Sequence, residues 1–416
     1  MSGRVEAAIP DAVAPPPGNP RFPLVDGLRA IAALSIVVTH TAGLSGFNSA
    51  NPLGAWTARM DCGVAIFFVL SGFLLYRPFV AARLDGRPRP RLRSYARRRA
   101  LRILPAYWVA LTVLALTVPA YVVGAFGPDW WKYYGLLQSW HTSTVVGGIG
   151  VAWSLSVEAA FYVVLPLYAL LAARWLAGRD RDVQARAELA VLAASSVVAV
   201  TLRTIVHDAR PRAPYLNTLP GMWTWFAAGL ALAVLSAWLH ARPVGARPRL
   251  VRAPAEHPLL CWAAALVLLT IAAKAVGLPR TFLQPYTTLN LEAEHLLYLG
   301  VAVCLVAPAV LGDGRRSAPA RLLAHPVMAW LGLVSYGVFL YHQPLSADLQ
   351  DLAGHVGGSF AVYTALTVAA AVGCAAISYY VVERPILRFK DRGRPRTTVP
   401  RERPAVVADP QTRSAA

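Results

Sequence analysis

Ten apolar runs, each long enough to cross a bilayer or nearly so, follow one another along this chain and leave little room for another architecture. They extend from Leu24 to Gly46, Cys62 to Ala82, Ala100 to Gly124, Val151 to Ala173 and Ala187 to Val206, then from Leu219 to Leu239, Leu259 to Gly277, His295 to Leu311, Val327 to Leu345 and Phe360 to Glu383. Hydrophobic residues make up 56% and charged residues 15%, with a mean hydropathy of +0.47, far from the balance of soluble domains. Lipid offers the backbone no hydrogen-bond partner, so runs of this length satisfy themselves as helices. The fold expected is all-α: a polytopic membrane bundle of about ten transmembrane helices.

A formal net charge of +19 invites nucleic-acid binding, and where the 40 Lys and Arg residues fall decides against it. They lie between the apolar runs and concentrate in alternate connections. That is the positive-inside pattern, and it predicts both termini in the cytoplasm. Residues 1–21 and 391–416 are Pro-rich, poor in large apolar side chains and expected to be disordered. Between them, 22–390 reads as one membrane domain, because no internal connection is long enough for a soluble catalytic unit. Nothing resembles a cleavable leader: the first apolar run is too long and too charged for one. Cys62, Cys261, Cys304 and Cys374 lack metal-type spacing and read as free thiols, so neither a metal nor a disulfide framework is expected.

Inside the first run sit Arg29 and His40, with ten residues between them, where an ionisable side chain needs a reason. Helix geometry separates them by about 16 Å along the axis and places them within about 20° of one face. One helix thus points a fixed cation and a potential base into the same interior. Asp26, one turn before Arg29, is the expected intrahelical partner. Arg98, Arg99 and Arg102 have i,i+3 and i,i+4 spacing at the expected cytoplasmic surface. They suit either phosphate groups, which guanidinium binds bidentately, or anionic lipid. Pro105, Tyr107 and Trp108 follow, so a helix is expected to start or bend there.

Glu158, two turns into the fourth run, is expected at the depth of His40, where a carboxylate beside an imidazole fixes its tautomer and stabilises the imidazolium. A structural Glu158, bonded to a neighbouring helix, is the alternative. His342 closes the sequence Ser335-Tyr336-Gly337-Val338-Phe339-Leu340-Tyr341-His342-Gln343-Pro344 near the outer surface. It either lines the same pocket or caps a helix broken by Pro344. Trp130, Trp131, Tyr133, Tyr134 and Trp140 in the longest outer connection either anchor at the interface or stack on an acceptor. Glu383 and Arg384 look like a clasp ending the last run.

Taken in order, five segments resemble the type 3 membrane acyltransferases. They are Leu24-Val25-Asp26-Gly27-Leu28-Arg29 with His40, Phe67-Phe68-Val69-Leu70-Ser71-Gly72-Phe73, Arg98-Arg99-Ala100-Leu101-Arg102-Ile103-Leu104-Pro105, Trp153-Ser154-Leu155-Ser156-Val157-Glu158, and Ser335-Tyr336 through His342. The resemblance implies an O-acyltransferase that uses acyl-coenzyme A as donor substrate, with no permanently bound cofactor. It makes Arg29 and His40 the family's Arg-x10-His pair, gives Arg98, Arg99 and Arg102 to the donor, and matches Glu158 to the family's acidic position. Asp26, Ser71, Trp153, Ser154, Tyr336 and His342 are the further pocket candidates. The acceptor expected is a hydroxyl of an envelope glycan, a lipid-linked sugar or a macrolide-like polyketide. A transporter of a small solute or lipid is the rival reading, since polar residues in a bundle also mark solute pathways.

Overall fold

The structure is a computed structural model that describes residues 22–209, 214–240, 248–281, 284–312, 317–355 and 359–389. The two terminal segments expected to be disordered lie outside the described residues. Ten long helices carry the fold: Val25–Leu44 (α1), Gly63–Leu84 (α2), Leu92–Thr117 (α3), Trp153–Trp175 (α4), Arg181–Ala209 (α5), Leu219–His240 (α6), Pro258–Lys274 (α7), Thr288–Leu311 (α8), Pro326–His355 (α9) and Phe360–Ser378 (α10). Among the described residues there is no strand. Eight helical stretches are long and apolar enough to cross a membrane, and α7 is a shorter apolar helix of 17 residues. The chain is a multi-pass membrane protein.

Two helices run through the prolines expected to interrupt them. Pro105 lies inside α3, which begins at Leu92, so the arginine-rich segment is itself helical. Pro344 lies inside the 30-residue α9. Proline removes one backbone donor and crowds the preceding turn, but packing against neighbouring helices holds such a helix together in a bundle. α10 continues without a break into a π-helical turn, Tyr379–Glu383, and a last short helix, Arg384–Leu387.

Close backbone approach sets the packing. Where α2 crosses α6, a methyl group on Gly72 would lie 2.6 Å from the Phe226 carbonyl oxygen, so the two chains meet with nothing between them. α1 occupies the middle of the site-bearing half, against α2, α9 and α10. It runs parallel to α9: Asp26 packs on Gly332, the His40 ring meets His342, and Gln350 Nε2 donates to the Leu44 carbonyl at 3.0 Å. The starts of α1, α3 and α9 therefore share one face, the basic one, and the connection from α3 to α4 lies on the opposite face.

That connection is folded tightly onto the bundle. Tyr107 Oη donates to the Tyr133 carbonyl at 2.8 Å, Ser156 Oγ to that of Leu136 at 2.6 Å, and Gln138 Nε2 to that of Ala152 at 3.1 Å. The Val151 N–H donates to Gln343 Oε1 at 2.9 Å, fastening the segment to α9 beside His342. Trp130, Trp131 and Trp140 remain exposed, placed to sit at a membrane surface.

Candidate functional site

The histidine end comes first. His40 Nδ1 lies 2.9 Å from His342 Nε2, with the rings stacked at 5.1 Å between centroids. His342 is fully buried, and its Nδ1 lies 2.7 Å from the Phe339 carbonyl and 3.1 Å from that of Val338. The parallel packing of α1 and α9 creates this pair across a sequence separation of 302 residues. His342 is thus an interior partner of His40 and not a cap at the outer surface, because α9 passes through Pro344 and keeps the side chain inside.

About 16 Å away along α1, by helix rise, lies the cationic end. Arg29 makes no hydrogen bond or ion pair among the described residues; it feels the charges of Arg102, Asp26 and Glu158 through space. Asp26 is therefore an electrostatic neighbour and not the bonded partner expected from their spacing. Arg99 likewise makes no direct bond, and lies near Tyr95 and Tyr162. Arg102 turns away from the surface: its Nη1 pairs with Glu383 at 3.2 Å, and its Nη2 donates to the Leu333 carbonyl at 3.4 Å. The three arginines of α3 are divided, with Arg102 drawn in to pair with Glu383 in the clasp where Arg384 is the expected partner.

Glu158 joins neither histidine in a hydrogen bond. It accepts from Ser71 on α2, with the Tyr162 hydroxyl alongside, and lies within electrostatic reach of Arg29. Tyr162 stands one turn after Glu158, on the same helix face, and that i,i+4 relation was the available signal for it. Tyr336 donates to the Ile103 carbonyl at 3.0 Å, which ties α9 to α3. Ser154 donates to the Val151 carbonyl at 3.1 Å, and the Trp153 carbonyl accepts from Ser139 at 2.9 Å, so both residues brace the start of α4.

Arg29, His40, Tyr162 and Tyr336 are packed round on all sides, yet each keeps accessible surface. Together these groups form a polar track through the bundle, with guanidinium at the basic end, phenols and a carboxylate between, and an imidazole pair toward the aromatic face. Such a track can hold an anion at one end and move a proton at the other.

A helical membrane bundle with ionisable side chains gathered in its interior defines a class in which polar chemistry is carried out within the bilayer. The chain belongs to the acyltransferase family whose domain model, described as "Acyltransferase domain", matches residues 22–379. It is 26% identical over 386 residues to YrhL of Bacillus subtilis (strain 168), named provisionally as a peptidoglycan O-acetyltransferase, with 88% of this chain and 55% of that protein covered. It is 22% identical over 342 residues to the peptidoglycan O-acetyltransferase OatA of Listeria monocytogenes, covering 78% of this chain and 49% of the relative. With the acyltransferase MdmB of Streptomyces mycarofaciens the identity is 26% over 407 residues, covering 92% and 96%. The chain spans about half the length of the first two relatives. No solved structure matches it.

Proposed function

We propose that this protein is a membrane O-acyltransferase of the bacterial plasma membrane, moving an acetyl or similar short acyl group from acyl-coenzyme A to a hydroxyl acceptor. The observation that carries the reading is a polar track within the bundle, with Arg29 and Arg99 making no bond among the described residues at one end and an imidazole pair at the other. Coenzyme A is polyanionic at its nucleotide and reactive at its thioester, and its pantetheine arm, on the order of 15 to 20 Å long, matches the rise between Arg29 and His40. The positive-inside rule puts the basic face in the cytoplasm, where this donor is found.

In this reading the phosphates rest near Arg99 and the surface arginines of α3, with Arg98 beside them, and the arm passes Arg29. Arg102 orients that end through its clasp with Glu383. The thioester then reaches His40. His40 takes the acceptor proton as the oxygen attacks the thioester carbonyl; the C–O bond forms, the C–S bond breaks, and the proton passes to the departing thiolate. Glu158, held by Ser71, balances Arg29 along the donor's route.

The acceptor proposed is a glycan or lipid-linked sugar hydroxyl, supported by the names of YrhL and OatA, with a macrolide-like hydroxyl next. The test gives purified full-length protein labelled acetyl-coenzyme A with muropeptide, undecaprenyl-linked sugar and macrolide acceptors, and identifies the product by mass spectrometry. Acetyl ester on one class, dependent on donor, is the expected result. Movement of an unchanged solute in proteoliposomes without covalent product would instead favour transport.

A further inference from the structure

We infer that His342 is a positioning residue for the transfer step, holding His40 in the tautomer whose Nε2 carries the lone pair. The inference rests on the acyl-transfer reading above and adds a role for a residue of α9. His342 Nδ1 faces two carbonyl oxygens, Phe339 at 2.7 Å and Val338 at 3.1 Å, and a carbonyl only accepts, so the proton of a neutral His342 ring is on Nδ1. Its Nε2 is then an acceptor, and the atom 2.9 Å away is His40 Nδ1. A bond between the two requires the proton on His40 Nδ1. The Ile36 carbonyl, a further backbone neighbour of the His40 ring, favours the same arrangement. With the proton on Nδ1, the lone pair of the His40 ring is on Nε2, the nitrogen that acts as the base in the acyl-transfer reading.

The chain of bonds therefore runs from a helix carbonyl through His342 to His40 and ends on the acceptor hydroxyl. When Nε2 takes the acceptor proton, the new positive charge spreads to Nδ1–H, where the His342 lone pair already accepts. A buried carboxylate does this work in hydrolase triads. Here a neutral imidazole does it, with no second charge buried in the membrane. Gln343, next in sequence, fastens the outer connection to the same turn of α9 and keeps His342 from rotating away.

The test compares the parent protein with H342L, H342M and H342Q in labelled acetyl-coenzyme A transfer to the acceptor class identified above. Leucine and methionine cannot accept the His40 N–H; glutamine can, through its amide oxygen. H342L and H342M are expected to lower kcat about 10- to 100-fold with the donor KM within about twofold, and H342Q to recover most of the loss. Donor binding by the same preparations reports whether each is folded, and methionine, closer to histidine in length, serves should leucine disturb α9. Parental kcat in H342M, a change confined to KM, or a folded H342Q as slow as H342M would overturn the inference. His40→Ala separates the levels: no acetyl ester from the parent protein defeats the acyl-transfer reading, parental turnover in His40→Ala defeats His40 as the base, and loss there with full activity in H342M defeats only the role of His342.

Discussion

Two regions of the bundle bury arginine and treat it in opposite ways. Around α2, α5, α6 and α8, each fully buried guanidinium has bonded partners. Arg203 meets Glu292 at 3.1 Å and the Gly221 carbonyl at 2.8 Å; Arg59 meets Glu294 at 3.3 Å; Arg77 donates to Ser236 at 3.1 Å and lies over the Phe22 ring. At the basic edge of the same half, Arg83 pairs with Glu188, which also accepts from Tyr168 at 3.1 Å. On α1 and α3, Arg29 and Arg99 make no such bonds among the described residues and keep accessible surface. A bonded charge in a membrane interior holds helices together, while one that bonds to no protein group is open to a ligand. On the function proposed above, the first region is the frame and the second the site.

Four substitutions probe that division. Arg203→Ala strands Glu292 in the frame and should cost about 3–5 kcal/mol of stability, measured as a lowered unfolding midpoint in detergent, while protein still folded keeps the parental donor KM. Arg29→Ala should leave that midpoint nearly unchanged and lower kcat/KM for acetyl-coenzyme A by the equivalent of about 2–3 kcal/mol, the scale of charge-assisted bonds to a phosphate or thioester oxygen. A large stability loss in Arg29→Ala with unaltered kinetics would place Arg29 in the frame after all. Arg102→Ala belongs to both regions because it is paired with buried Glu383, and should raise the donor KM about tenfold and, by stranding that carboxylate, also cost about 3–5 kcal/mol of stability. Trp131→Ala, on the exposed aromatic surface, should change turnover less than about threefold in bilayers if the ring only anchors the segment. A selective rise in acceptor KM would move it into the acceptor site.

Much of the architecture was legible because lipid enforces it. Apolar length alone located the helices, and the errors came at Pro105 and Pro344, where a local rule about proline is overridden by packing from neighbouring helices. Arg29 and His40 stood out since charge in an apolar run is costly and therefore informative. What the chain could not disclose was pairing across it. The spacing within α1 is silent on whether Glu158 or His342 meets His40. That depends on which helix packs beside α1 and in which register, and the register is set by small-residue contacts such as Asp26 against Gly332. The same holds for Arg102 and Glu383, residues at distant points in sequence brought together by the π-helical turn that ends the last span.

The division of labour between Arg29 and His40 is tested most directly by measuring, on one preparation of His40→Ala, both binding of labelled acetyl-coenzyme A and transfer of the acetyl group to acceptor. Donor binding within about twofold of the parent, with transfer reduced at least about a hundredfold, is the result expected if the guanidinium end binds and the imidazole end reacts. Transfer at the parental rate, or loss of donor binding together with transfer in a folded protein, would contradict it.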